Sequence, residues 1–450
     1  MPVKELIIYT ISMAAAVILS EAGSFTASGL SLILCGIIDY VCFYKRERDI
    51  LTPCGLFSLF FVLPMGIASL KLSYLSNVFE PLTWLCLYFS FVFFVCGYYA
   101  LKKKKICCRN IMPGSIFYEY NEKQLRRIIL MFTLVSVFAF TFEAVRLSYI
   151  PLFTVDTPHA YSYFHISGVH YFTVLFVFVP ALTVYWMYRE RGRGMDRAFF
   201  EVMVCTVISL VLPLLLVSRY QLIFSVMLAA MMFIILNRER PGEFLKAKFI
   251  ITGCISVLSL IALYVFLTVE RAHSVSYLNG IFEMKNENMP IFITQPYMYI
   301  ANNYENFNCL VRDLPKHTYG LRQLFPVFAL TGLKFRFPEL VSFPLYVTKE
   351  ELTTVTVIYD AFYDFGAAGV SAFCFIYGAA VSLLERLLKT DKNPMVCLLC
   401  AQVYGYLCLS FFTTWYSNPT TWFYIIITVA VWIFLCYTSK NRTFRKGETK

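Results

Sequence analysis

The sequence lacks the motifs by which soluble enzymes hold phosphate or metal. It has no Walker loop, no Rossmann glycine pattern and no HExxH, which removes the standard nucleotide-binding and zinc-hydrolase readings. Histidine is scarce, five in 450 residues, and too scattered to assign a metal site. No internal repeat and no low-complexity tract is visible, and the basic loops are too short to hold a soluble catalytic domain. Cysteine is not scarce, but nearly all fifteen lie inside apolar runs, the Cys397 and Cys400 pair of "CLLC" included. Thiols there pack as small apolar groups. Only Cys309 falls in a long polar loop, and without a partner there it implies no disulfide in that loop.

What the sequence has is apolar surface: 59% hydrophobic residues, 18% aromatics and a mean hydropathy of +0.65. A chain so apolar must bury most of its length in lipid or in helices packed within lipid, so the expected class is an all-α polytopic membrane protein. Runs long enough to span fall at 5–20, 26–44, 52–73, 81–100, 128–147, 169–188, 198–218, 220–237, 249–269, 366–386, 394–415 and 419–438. The first run ends in Ser-Glu-Ala and reads as a retained helix rather than a cleaved signal. The net charge of +11 does not point to nucleic acid, because the basic residues cluster in short connections such as "YKRER", "LKKKK" and "RERGRGMDR". Twelve spans put 28 of the 39 Lys and Arg on one face, which the positive-inside rule makes cytoplasmic, together with both termini. The chain reads as one membrane domain, 1–450, with residues 270–352 as a large outer loop within it.

Any chemistry then belongs to the outer face or the bilayer. The run 199–236 would be about 57 Å long as one helix, far beyond a core of about 30 Å, so it must fold back near Ser218-Arg219-Tyr220 on the outer side. Arg219 there is either an arginine snorkelling to headgroups or a ligand-binding group in a cavity. Residues 148–168 hold a proline-bounded turn with His159 and His165, and His170 follows. The 83-residue excursion 270–352 carries eight basic and eight acidic residues. It is too rich in aromatics for disorder, and its "LFPVFALTGL" suits an interfacial or re-entrant element.

The outer face is rich in arginine: Arg146, Arg219, Arg271, Arg312, Arg322 and Arg336. The planar guanidinium fork binds phosphate oxygens in pairs and stays charged near lipid. Arg146 has a simpler reading, a pair with Glu143 three residues earlier. "TVERAHS" sets Arg271 and His273 at the outer end of the ninth span, where a solvated helix end is the plain alternative. "YIANNYENFNCLV", residues 299–311, has the Tyr, Asn and Glu of sugar recognition, with Asn303, Tyr304, Glu305 and Asn306 at its centre. It equally suits an interfacial amphipathic helix. Asp360 and Asp364 stand one helical turn apart in "YDAFYDFGAAG". They are either acids placed to take a proton from a hydroxyl or acids favoured by a helix N-terminus.

Taken together, the "SR" at the tip of a mid-chain hairpin, "IPLF" after the fifth span, "NYENFNCL" in the large loop and "YDAFYDFGAAG" opening the next span resemble the bacterial O-antigen or oligosaccharide repeat-unit polymerases. The resemblance covers most of the chain as architecture, through short motifs. It implies a membrane glycosyltransferase of the GT-C-like kind, without metal or other cofactor, at the outer face of the bacterial cytoplasmic membrane. Such an enzyme moves a growing glycan from undecaprenyl diphosphate onto the terminal sugar of an incoming undecaprenyl diphosphate-linked repeat unit, for O-antigen or capsule. The resemblance implies a diphosphate role for Arg219 and, after it, for Arg271 and Arg322. Asp360, Asp364, Glu305 and His273 are the candidate bases. Arg146, Tyr220, Asn303, Tyr304, Asn306, His159 and His165 are expected as further substrate contacts. Membrane lipids, a chain-length regulator and a flippase are the partners it implies, with no nucleic acid. An O-antigen ligase uses the same donor and similar arginines. A transporter of lipid-linked sugars has a similar span count, but the missing internal repeat and the large loop speak against it. A transferase using a monosaccharide polyprenyl phosphate is weakened by a first outer loop, "SEAGSFTAS", whose only acid is Glu21.

Overall fold

The computed structural model describes residues 2–102, 120–154, 160–238 and 275–448. The ninth expected span, 249–269, together with His159, Arg271 and His273, lies outside the described residues. The helices are α1 (Val3–Glu21), α2 (Phe25–Glu47), α3 (Pro53–Ser69), α4 (Pro81–Lys102), α5 (Glu122–Leu147), α6 (His170–Arg189), α7 (Arg197–Leu215), α8 (Arg219–Asn237), α9 (Ile291–Asp313), α10 (Tyr359–Thr390), α11 (Pro394–Cys408) and α12 (Pro419–Glu448). Among the described residues there is no strand, only one isolated bridge between Ser73 and Met284.

Nine helices of the described residues are long and apolar enough to cross a membrane: α1, α2, α4 to α8, α10 and, over Pro419–Tyr437, α12. They leave large apolar side chains uncovered, such as Ile11, Phe138 and Val145 at 64%, 76% and 75% exposed, which water would penalise and lipid does not. The chain is a helical, multi-pass membrane protein. The third and eleventh expected spans form the shorter apolar helices α3 and α11. α3 carries a π-helical turn over Ser58–Val62, and the run expected to 415 leaves the helix after Cys408.

The described residues form two compact units, one from segments 1–108, 275–387 and 406–422, the other from 109–274, 388–405 and 423–450. In the first, α4 and α10 approach closely enough for backbones to touch, because each contributes a glycine. A methyl group at Gly97 would collide with the Phe375 carbonyl, and one at Gly378 with the Phe94 carbonyl, the small-residue contact used between membrane helices. α9 lies inside this unit with fourteen buried residues.

In the second unit α6 and α8 run side by side in the same direction. Ser225 of α8 donates to the Val177 carbonyl of α6 at 3.3 Å, and near the far ends Arg191 donates to Asn237 at 3.0 Å. Tyr424 of α12 packs between Phe178 and Phe224 and donates to the Val174 carbonyl. The expected fold-back between α7 and α8 is present. α7 ends at Leu215, Val217 takes a left-handed φ of 53°, and α8 begins at Arg219 with Ser218 as its N-cap residue. Leu152 of the "IPLF" segment packs against Val217 and Leu222 at this tip.

Candidate functional site

The first unit holds a tightly built corner around Arg322. α10 is two helices joined at Phe365 and Gly366, whose φ/ψ of 62°/−150° is open in practice only to glycine. The short first part carries Asp360 and Asp364 on one face, one turn apart. The loop before it folds over its end: the N–H groups of Thr318 and Tyr319 donate to the carbonyls of Tyr363 and Asp364 at 3.3 and 3.1 Å. The Asp364 carboxylate then accepts from the Thr318 hydroxyl at 2.5 Å and from the N–H groups of Arg322 and Gln323 at 3.1 and 2.9 Å. With three donors on a fully buried carboxylate, Asp364 holds the loop that presents Arg322.

Arg322 Nε pairs with Asp360 at 2.5 Å, and the side chain keeps 16% exposure. Aromatic rings line its surroundings, Tyr363 at 5.0 Å and Tyr359 and Phe343 at 5.8 Å from the guanidinium carbon, close enough for cation–π attraction. Those hydroxyls are themselves fixed: Tyr359 donates to the Tyr346 carbonyl and accepts its N–H, and Tyr363 donates to the Pro344 carbonyl. Burial works against the arginine's charge, and the Asp360 carboxylate outweighs it, raising its pKa above the ordinary value. Among the described residues neither terminal amino group of Arg322 makes a hydrogen bond. The guanidinium is therefore anchored through one edge with two donors to offer, the shape that suits a phosphate. His317 donates through Nδ1 to the Tyr363 carbonyl at 3.3 Å, beside Gly366.

The polar run of α9 is placed differently. Asn303, Tyr304, Glu305 and Asn306 are at most 2% exposed. Asn306 accepts from Thr348 and donates to the carbonyls of Leu352 and Thr354. Asn303 donates to Tyr299 one turn back, and Tyr304 donates to the Phe61 carbonyl. Glu305 pairs with Lys71 at 2.5 Å, both side chains 2% exposed, and accepts from the Asn77 N–H. Lys71 also sits 3.3 Å over the Phe79 ring. Burial lowers the lysine pKa and raises that of the glutamate, each countered by the partner's charge. These side chains hold segments 71–77 and 348–354 against α9. As a row they are neither open to a sugar nor spread on an interface.

In the second unit Arg219 is 6% exposed, where an arginine reaching for headgroups would stand free. Tyr220 beside it stacks on Phe224 at 5.6 Å. Arg146 is exposed, and its expected pair with Glu143 is a correction: among the described residues Glu143 turns instead to Ile166, His170 and Thr173. His165 is exposed, its Nδ1 3.2 Å from the Ser162 carbonyl. Arg312 pairs with its neighbour Asp313, and Arg336 is exposed.

The structure thus brings Arg322, Asp360 and Asp364 together. Tyr359, Tyr363, Phe343 and His317 around them were not singled out from the sequence, although the two tyrosines share the four-residue spacing of the two acids. Among the described residues no three His, Cys, Asp or Glu side chains converge as a metal would need. No protein-family model, curated protein or solved structure matches the chain.

Proposed function

We propose that the protein is a repeat-unit polymerase of surface polysaccharide synthesis. It transfers a growing glycan from undecaprenyl diphosphate to the terminal sugar of an incoming undecaprenyl diphosphate-linked repeat unit, for O-antigen or capsule. In this reading twelve spans place both termini in the cytoplasm of a bacterium, the chain resides in the inner membrane, and the 270–352 loop faces outward with the reaction. The observation that carries the reading is Arg322: a half-buried guanidinium, locked by Asp360 and by the Asp364-held loop, with both terminal amino groups unused among the described residues. As the sugar leaves, charge builds on the diphosphate, and a preplaced guanidinium stabilises that state more than the ground state. Arg219, buried at the tip between α7 and α8 of the second unit, keeps the diphosphate role that the resemblance implies for it. No nucleotide or added cofactor enters this scheme.

The test is incubation of the purified protein with lipid-linked repeat units alone. A ladder of glycan lengths with release of lipid diphosphate supports polymerisation. Transfer only to a different acceptor makes it a ligase, and translocation in proteoliposomes without chain growth makes it a transporter. Arg219→Ala is expected to stop the ladder and Arg219→Lys to leave part of it; full polymerisation by Arg219→Ala removes that residue from the site.

A further inference from the structure

The end of the second unit that carries Arg219 also holds a carboxylate and a histidine arranged for proton transfer. Glu143, in the last turns of α5, is 0% exposed. The segment after α5 returns over it: Phe164 packs against Phe140 and Tyr149, which sets the Ile166 N–H 2.9 Å from Oε1 of Glu143. Thr173 donates to Oε2 at 2.7 Å. The third partner is the His170 ring, whose Nδ1 lies 3.2 Å from both carboxylate oxygens. A carboxylate with two other donors fixed on it accepts here as well, so Nδ1 carries the proton and Nε2 bears the lone pair. The ring keeps 31% exposure, and among the described residues Nε2 makes no hydrogen bond. A buried acid thus fixes the tautomer and orientation of a partly exposed histidine whose basic nitrogen the described residues leave unbonded.

The register of α6 against α8 places this histidine at the same end as Arg219. The bridges at Val177–Ser225 and Arg191–Asn237 show the helices parallel. Counting back seven residues from Val177, partly through the 3-10 stretch Val174–Phe178, gives His170 about 12 Å along, and six from Ser225 gives Arg219 about 9 Å along. The two residues begin neighbouring helices within about one turn of each other along the unit.

We propose that His170 is the general base of the transfer, with Glu143 as its positioning residue; this rests on the polymerase reading above. In the step, His170 Nε2 takes the proton of the acceptor hydroxyl as that oxygen bonds to the anomeric carbon of the donor glycan. The bond from that carbon to the diphosphate oxygen breaks, and its electron pair leaves with the lipid diphosphate. The imidazolium is stabilised by Glu143 and returns its proton to solvent. Among the described residues the titratable groups that meet the ring are Glu143 from α5 and His165, whose ring is 6.5 Å away.

The experiment uses the full chain, purified and supplied with lipid-diphosphate-linked repeat units, with ladder growth and lipid diphosphate release read across pH. His170→Ala and, as a size-conserving second variant, His170→Gln are expected to lose at least about 100-fold in rate while binding the donor lipid as wild type does. Glu143→Gln is expected to move the acidic limb of the rate profile down by at least about one pH unit; a purely structural Glu143 would lower the rate without moving the limb. An active wild type whose His170→Gln variant keeps more than a tenth of the rate, or whose Glu143→Gln limb stays in place, overturns the assignment alone. A wild type that neither builds a ladder nor releases lipid diphosphate overturns the polymerase reading, and the base with it.

Discussion

Two polar regions of the first unit look alike in sequence and differ in what they leave unused. Along α9 the polar side chains from Asn302 to Asn308 are turned inward onto loops, from Lys71 to Thr83 on one side and from Thr348 to Thr354 on the other. Around α10 the acids Asp360 and Asp364 are just as buried, but they serve to hold out an arginine that keeps two donors. A polar run marks a site only when hydrogen-bonding capacity is left over after the fold has taken its share.

That difference can be broken from either side. The largest expected loss is on α9: Glu305→Ala strands the Lys71 ammonium in a buried site and is expected to cost about 3–5 kcal/mol, read as a lowered melting temperature in detergent. Asn306→Ala, which leaves the Thr354 carbonyl and the Thr348 N–H without a partner and the Leu352 carbonyl with Asn302 alone, should cost about 1–3 kcal/mol by the same measurement, without a change in rate per folded molecule. At the other region the loss falls on activity. Arg322→Lys keeps a charge beside Asp360 but loses the fork, and is expected to reduce ladder growth about 100-fold while the melting temperature holds. Gly366→Ala forces a side chain into the φ/ψ that breaks α10 and against His317, at about 1–3 kcal/mol. The smallest effect belongs to the exposed end of α9. Arg312 holds the Asp313 carboxyl below its ordinary value, so this pair contributes above pH of about 3.8 and loses its contribution as pH falls through the depressed value. Asp313→Asn should therefore change neutral-pH stability by less than about 1 kcal/mol and flatten the response to acid.

Much of the helical frame was legible because hydropathy over a span-length window reports chiefly one free energy, the cost of leaving lipid. That the run 199–236 turns back followed from length alone; the turn itself, at Leu216–Ser218, falls just before the Ser218-Arg219-Tyr220 expected for it. The shortening of α3 and α11 did not follow: a π-helical turn and a departure into turns at Leu409 are local choices that an apolar run does not encode. The role of α9 was hidden for a different reason. Its Glu305 meets Lys71, 234 positions away in the chain, and no spacing within "NNYENFNC" reveals such a partner. The spacing of Asp360 and Asp364 was readable; what they hold was not, because Arg322 reaches them only through a loop closed by backbone bonds to residues 363 and 364. Glu143 was read toward Arg146, the nearest cation in helical spacing. A returning loop with its Ile166 N–H, and the first turn of α6 with an imidazole and a hydroxyl, took the carboxylate instead.

The central claim is that the chain joins lipid-linked repeat units by releasing lipid diphosphate. It is tested most directly by supplying the purified wild-type protein with those units as its only substrate and following glycan length and diphosphate release together. One lipid diphosphate released for each unit added to a growing ladder is the predicted result; substrate left at a single repeat, with no diphosphate released, contradicts it.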